Sequence, residues 1–239
     1  MTREELYLVA KDAANESELK SSEIPTIDLY VDQILNLVQA KLEEGSERYR
    51  ENRLTKTMIN NYSKDGIITP VKGKKYNKEQ ILQILTVYSL KNNISIGEIK
   101  RLLDGAYSIE GFDGSDLEAL YDRHLSIKQN NRDYGKVLLD AIIDKNGLNV
   151  EDDTDYIVTV CALVSLSAQL KNIAKAMIDV KYPEPIEDED AEKEKEEKEK
   201  EKKDKKEEKK EKKEEKKEEK KEKKDKKKKE GSENESEYL

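Results

Sequence analysis

From Glu187 onward the chain is built almost wholly from Glu, Lys and Asp, until a short polar end around Gly231-Ser232-Glu233-Asn234. Ordering a backbone has to be offset by apolar surface leaving water, and this stretch has almost none to remove. An isolated charged helix gains little here. Between Glu214 and Lys221 like charges fall four apart, as in Glu214 with Glu218 and Lys216 with Lys220. That cancels part of the roughly 0.2–0.5 kcal/mol that a favourable pair contributes. Residues 187–239 are therefore expected to form a charged low-complexity tail, either marginal helix or disorder.

What can fold lies before that tail. From Ile24 to Tyr182 apolar residues recur at helical spacing, strand-like alternation is nearly absent, and the whole chain has 10 Gly, 4 Pro and no Trp. A domain of roughly 150 residues buries on the order of 70% of its unfolded surface, enough for one core. That core should be helical and rich in Leu, Ile and Val. The single cysteine, Cys161, permits no intrachain disulfide and sits in an apolar helical run, where a core role is expected. The N-terminal sequence has no apolar signal region, and the apolar run at residues 157–166, interrupted by Thr159 and Ser165, is short for a bilayer. A cytoplasmic location is the expectation.

Net charge is −8, but it is unevenly spread. Between Arg48 and Lys78 there are nine Lys or Arg against two acids, a local charge of +7, whereas residues 1–47 carry −7 and residues 79–186 carry −6. Phosphates respond to the local field, so a cationic island inside an anionic chain points to a phosphate backbone as partner.

Helix signals divide the chain further. Residues 1–23 read as a flexible, acid-rich arm. Thr26 can cap a helix whose inner face is Ile27, Tyr30, Val31, Ile34, Val38 and Leu42, followed by a ten-residue polar connection at 44–53. Thr55 is the expected N-cap of a short helix ended by Gly66. Its Met58, Ile59 and Tyr62 point inward, while Lys56, Thr57, Asn60, Asn61 and Lys64 form one outward stripe. Residues 67–71 and 74–76 read as two short extended arms around Gly73, a basic wing. Asn77 with Gln80 and Ser95 with Glu98 are capping boxes for two further helices, the second stopped by Gly105. Another helix starts near Ser115, a break is expected around residues 129–133, and the pattern resumes to Gly147. The last helix, from about Thr154 to Lys181, is apolar around most of its circumference and is therefore expected to be buried, within the monomer or across a two-fold interface.

The candidate site follows from this order. Asn60 and Asn61 can pair with adenine edges, Thr57 can touch a thymine methyl or a phosphate, and Lys56 and Lys64 can reach phosphate or guanine. The helix N-terminus at Thr55 offers backbone donors, Lys72, Lys74 and Lys75 would straddle the adjacent backbone, and Arg53, with Arg48 and Arg50, would clamp from the other side. Tyr76 can either stack on a base or pack in the core. The bland alternative is a solvated polar face beside a basic turn. His124 lacks a partner for a zinc site, and Glu151, Asp152, Asp153 and Asp155 are accounted for by favourable charge at a helix N-terminus. No phosphate loop or catalytic set is present, so an enzyme is not expected, nor any metal or cofactor.

Residues 54–103 resemble the DNA-binding region of MerR-type regulators. Residues 59–68 (Ile-Asn-Asn-Tyr-Ser-Lys-Asp-Gly-Ile-Ile) stand where that family has its helix, Tyr and Gly, and residues 94–100 (Ile-Ser-Ile-Gly-Glu-Ile-Lys) match its closing helix. More closely, Tyr30-Val31-Asp32-Gln33 together with residues 54–62 (Leu-Thr-Lys-Thr-Met-Ile-Asn-Asn-Tyr) resembles a group of Gram-positive bacterial proteins, domain of unknown function number 1836, over residues 24 to 181. The long connection at 44–53, the short wing and the paired asparagines in place of the usual arginine depart from the MerR pattern. The resemblance implies a mainly α, MerR-like winged helix-turn-helix over residues 24–110, with additional C-terminal helices at 111–182. It implies a transcriptional regulator of double-stranded DNA, and the C-terminal helices are expected to make it a homodimer. The alternative is a non-enzymatic protein-interaction module using the same basic surface.

Overall fold

The computed structural model describes residues 1–71 and 73–185; Lys72 and the predicted tail lie outside the described residues. Met1 to Glu184 form one compact unit. Eight α-helices are described: α1 Arg3–Ala13, α2 Val31–Leu42, α3 Lys56–Lys64, α4 Lys78–Leu90, α5 Ile96–Tyr107, α6 Gly114–Asn130, α7 Tyr134–Asn146 and α8 Asp153–Lys181. The two short strands, β1 Leu29–Tyr30 and β2 Lys75–Tyr76, pair antiparallel, with Leu29 opposite Tyr76.

The main core gathers around α4, whose Ile81, Leu82, Ile84, Leu85 and Val87 are all buried. Ile34, Val38 and Leu42 of α2, Ile59 and Tyr62 of α3, Ile99 and Leu103 of α5, and Leu117, Tyr121 and Leu125 of α6 close around it. A second, smaller cluster joins Leu6 of α1, Leu139 and Ile143 of α7, and Val150.

Several local signals act as expected. Asn77 Oδ1 accepts from Gln80 N at 2.8 Å, and Gln80 Oε1 accepts from Asn77 N at 3.0 Å. The Ser95 and Glu98 box opens α5 in the same way. A one-turn 3-10 helix at Asn131–Asp133 marks the anticipated break, and Gly147, at φ 63, ends α7.

Four expectations are corrected. Residues 1–23 are not a loose arm: α1 opens with a Thr2 and Glu5 capping box, docks by Leu6, and is tied to α7 by Tyr7 to Asp140 and Arg3 to Asp144. Helix α2 starts at Val31 rather than after Thr26, because Gln33 Oε1 accepts from Tyr30 N at 2.9 Å at the helix start and Leu29 and Tyr30 are drawn into the strand pair, leaving Ile27 exposed. Gly105 does not stop α5, which runs to Tyr107. It is a glycine because a Cβ there would overlap the Tyr182 ring.

The fourth correction concerns α8. It is all-round apolar as read, and with 29 residues it is long and apolar enough to cross a membrane, unlike the shorter run at 157–166. Yet it is mostly exposed, with only Thr159 and Ile178 buried, and Cys161 faces solvent rather than the core. Its first half rests on α7, and its end is held on α5 by Arg101 to Asp179 at 2.8 Å and Lys175 to Glu98 at 3.2 Å.

Candidate nucleic-acid interface

Helix α3 is short, and both of its ends are fixed by sequence. Thr55 Oγ1 accepts from Met58 N at 3.2 Å, so the Thr55 hydroxyl caps the helix as expected. At the other end Gly66 adopts φ 66, Gly66 N donates to Ser63 O at 3.3 Å and Ile67 N donates to Tyr62 O at 3.0 Å. This Schellman arrangement satisfies two terminal carbonyls and turns the chain sharply toward Ile67 and Ile68, both buried.

With Ile59 and Tyr62 buried in the main core, the rotation of α3 is set. Lys56, Thr57, Asn60, Asn61 and Lys64 all face solvent. The first turn of α3 contains no acid to oppose a phosphate at its N-terminus. No carboxylate lies within ion-pairing distance of Lys56, Lys64 or Lys74 among the described residues.

The segment after Gly66 is not the predicted hairpin. Residues 67–71 carry no strand, and β2 pairs with β1 near the start of α2 instead. Burial explains the exchange: Leu29 and Tyr76, directly opposed, are both in the core. Tyr76 is therefore a packing residue and offers no ring face to a base. Lys75, its neighbour in the strand, is exposed and places its ammonium 5.0 Å from the centre of the Tyr30 ring.

In place of strand pairing, two buried glutamines of α4 hold residues 69–70. Gln80 Nε2 donates to the carbonyls of Thr69 and Pro70, each at 3.1 Å, and Gln83 Oε1 accepts from Thr69 N at 2.9 Å. Gln83 Nε2 donates to Tyr107 Oη at 2.7 Å, which in turn donates to Glu79 at 2.7 Å. Burial, with the Glu79 carboxylate adding to it, raises the Tyr107 pKa, so the phenol stays protonated as the donor. Gln80 was legible as a capping residue, but its second bond to the loop was not. Gln83 gave no signal beyond a polar residue at a core-facing helical position.

Between α3, this loop, α5 and the start of α2 lies an open cleft of about 880 Å³. Lys56, Asn60, Lys74 and the buried Tyr76 line it, so four of the predicted residues meet there. Asp32 and Asp104 also line it and oppose an anion on its floor. Asn61, Thr57 and Lys64 lie on the same exposed helix but not in the cleft. Arg53 is exposed, whereas Arg48 and Arg50 are engaged internally, with Asp12 at 3.3 Å and Glu47 at 2.9 Å. Of the expected arginine clamp, only Arg53 has no acidic partner among the described residues.

Residues 19–124 match the family model DUF1836, a domain of unknown function. The match contains α3, the cleft and all of the main core but Leu125, and stops within α6. It is shorter than the resemblance drawn from the sequence, and α7 and α8 lie beyond it. No curated protein and no solved structure matches the chain.

Proposed function

We propose that α3 and the loop at residues 66–76 form a DNA-binding surface, with α3 lying along the major groove and Lys74 and Lys75 against the flanking backbone. The protein would then be a transcriptional regulator whose order of elements is MerR-like, with a loop held by glutamines in the place of a two-stranded wing. The observation that carries this reading is the outward stripe of α3. Two amides capable of bidentate base contacts are flanked on the same face by two cations, on a helix fixed at both ends. Asn60 and Asn61 are assigned to base edges, Lys56, Lys64, Lys74, Lys75 and Arg53 to phosphates, and Thr57 to either. The α3 N-terminus capped by Thr55 would receive a phosphate through its backbone amides. Tyr76 has no part in this surface beyond packing.

The test is a selection of duplexes from a random pool on the full chain, followed by anisotropy titrations over a salt series. Binding should weaken as a steep power of salt concentration, as counterion release requires. Salt-insensitive binding, or no enriched duplex, overturns the reading. Protein partners that remain on the immobilised chain after nuclease treatment, and that are lost on Lys74→Glu, would assign the surface to an acidic protein segment instead.

A further inference from the structure

Thr159, Leu163, Leu166, Leu170, Ile173, Met177 and Val180 of α8 are spaced four and three residues apart in strict alternation. That is the spacing of a coiled-coil seam, kept over six intervals on one face of a single helix. The structure covers only its first part. Thr159 is buried, and Leu163 packs into the cluster with Leu139 and Ile143 of α7. Beyond Leu166 that cover ends: Leu170 is 54% exposed, Ile173 57%, Met177 67% and Val180 87%.

We propose that this uncovered half of the seam is a self-association surface, on which α8 of a second copy of the chain packs antiparallel. Continuity is the first argument, because the exposed positions prolong an interface already built between α7 and α8 in the same register. The positions flanking the seam are the second. Gln169, Ala174 and Ala176 are uncharged and mostly small, so two identical helices can approach closely around residues 170–177 with no like-charge repulsion there; the one charged flank, Lys181 beside Val180, lies at the helix end.

Orientation follows from what α7 occupies. A parallel partner would run its own first half beside residues 159–166, where α7 already sits. An antiparallel partner crossing near Ile173 carries its first half past the end of α8, clear of α7. In that register Ile173 of one copy meets Met177 of the other, and Leu170 meets Val180. At the point where the α7 cover ends there is a groove of about 380 Å³ lined by Leu138, Leu163, Leu166 and Leu170 together with Asn93, Ser167 and Lys171, and in this register it faces Val180 of the second copy. Eight side chains more than half exposed would leave water together.

A bilayer fits this helix less well. Lys175 is paired with Glu98 at 3.2 Å and Asp179 with Arg101 at 2.8 Å, and the first half of the seam is packed on α7. Insertion would have to break all of these.

Sedimentation velocity on the full chain over a micromolar range, together with flotation on vesicles of neutral and anionic phospholipid, tests the proposal. The wild type should sediment as a dimer. Ile173→Glu or Met177→Glu should raise the dimer Kd at least about 30-fold, as expected when an anchor at the centre of an interface is lost. Val164→Glu, at an equally exposed position on the opposite side of α8, should leave the dimer intact, and all three variants should keep the helical circular dichroism of the wild type. A wild type that is monomeric throughout, a dimer indifferent to residues 173 and 177, or vesicle binding abolished by Ile173→Glu each overturns it. The surface stands on α8 alone, so loss of DNA binding in the preceding experiment would leave this outcome untouched.

Discussion

Ile67 donates its backbone N–H to the carbonyl of Tyr62 at 3.0 Å, across Gly66, and this bond decides where the loop leaves α3. The intervening glycine must hold φ 66, a conformation that other L residues reach only with strain, and a Cβ built there meets nothing within 4 Å. The cost of substitution is thus conformational and not steric. Gly66→Ala is expected to destabilise the fold by about 1 kcal/mol and Gly66→Asn by less, since Asn tolerates the left-handed region. Urea unfolding of the two variants checks the order; equal midpoints for Ala and wild type would sink it.

Gln83 joins the loop to α5, through Thr69 on one side and Tyr107 on the other. Gln83→Leu keeps the volume but strands the Thr69 amide and removes one bond to Tyr107, an expected loss of about 1–3 kcal/mol. Tyr107→Phe removes part of the same network. The double variant should therefore cost less than the sum of the two, with a coupling of about 0.5–3 kcal/mol. Strict additivity in chemical denaturation would mean that the two residues act separately.

For the proposed surface, Asn60→Ala should cost about 1–3 kcal/mol against the preferred duplex and little against an unrelated one, because an amide reads base edges and a phosphate contact does not. Lys74→Glu combined with Lys75→Glu should weaken both duplexes alike. It should also lower the slope of log affinity against log salt by about two, roughly 0.9 for each phosphate no longer neutralised. Anisotropy titrations at several salt concentrations separate the two patterns, and a uniform loss for Asn60→Ala would remove it from base readout.

What the sequence made legible was mostly local. Thr55, Gly66, Asn77 and Ser95 act through bonds to backbone groups two to four residues away, so their roles can be read in a short window. The outward stripe of α3 was legible for the same reason, since Ile59 and Tyr62 fix the rotation of the helix. The strand partner of Lys75 and Tyr76 was not, because Leu29 and Tyr30 lie more than forty residues away and alternation over two residues carries no signal. Gly105 reads as a stop in its own neighbourhood, and only the fold brings Tyr182 onto it. Helix α8 was legible only in part. Apolar periodicity shows that a face will be covered, but not by which molecule, and it points to burial where the single chain leaves the face bare.

His124 is the only histidine, and its Nε2 is buried with no hydrogen-bond partner among the described residues. Burial holds its pKa below the ordinary value of 6.5, with Lys128 acting in the same direction and Glu18 against it. A group that binds its proton more weakly when folded stabilises the fold where it is neutral. That contribution should be complete above about pH 6.5 and be lost as pH falls toward and through the lower folded-state value. Glu23, Glu98 and Glu118, all held below their ordinary value of 4.5, change stability only in a more acidic range. Unfolding free energy should thus decline as pH falls below about 6.5, and His124→Gln should flatten that decline while leaving the carboxylate-driven loss near pH 4 in place. An unchanged slope in the variant would show that the imidazole is solvated and contributes nothing to it.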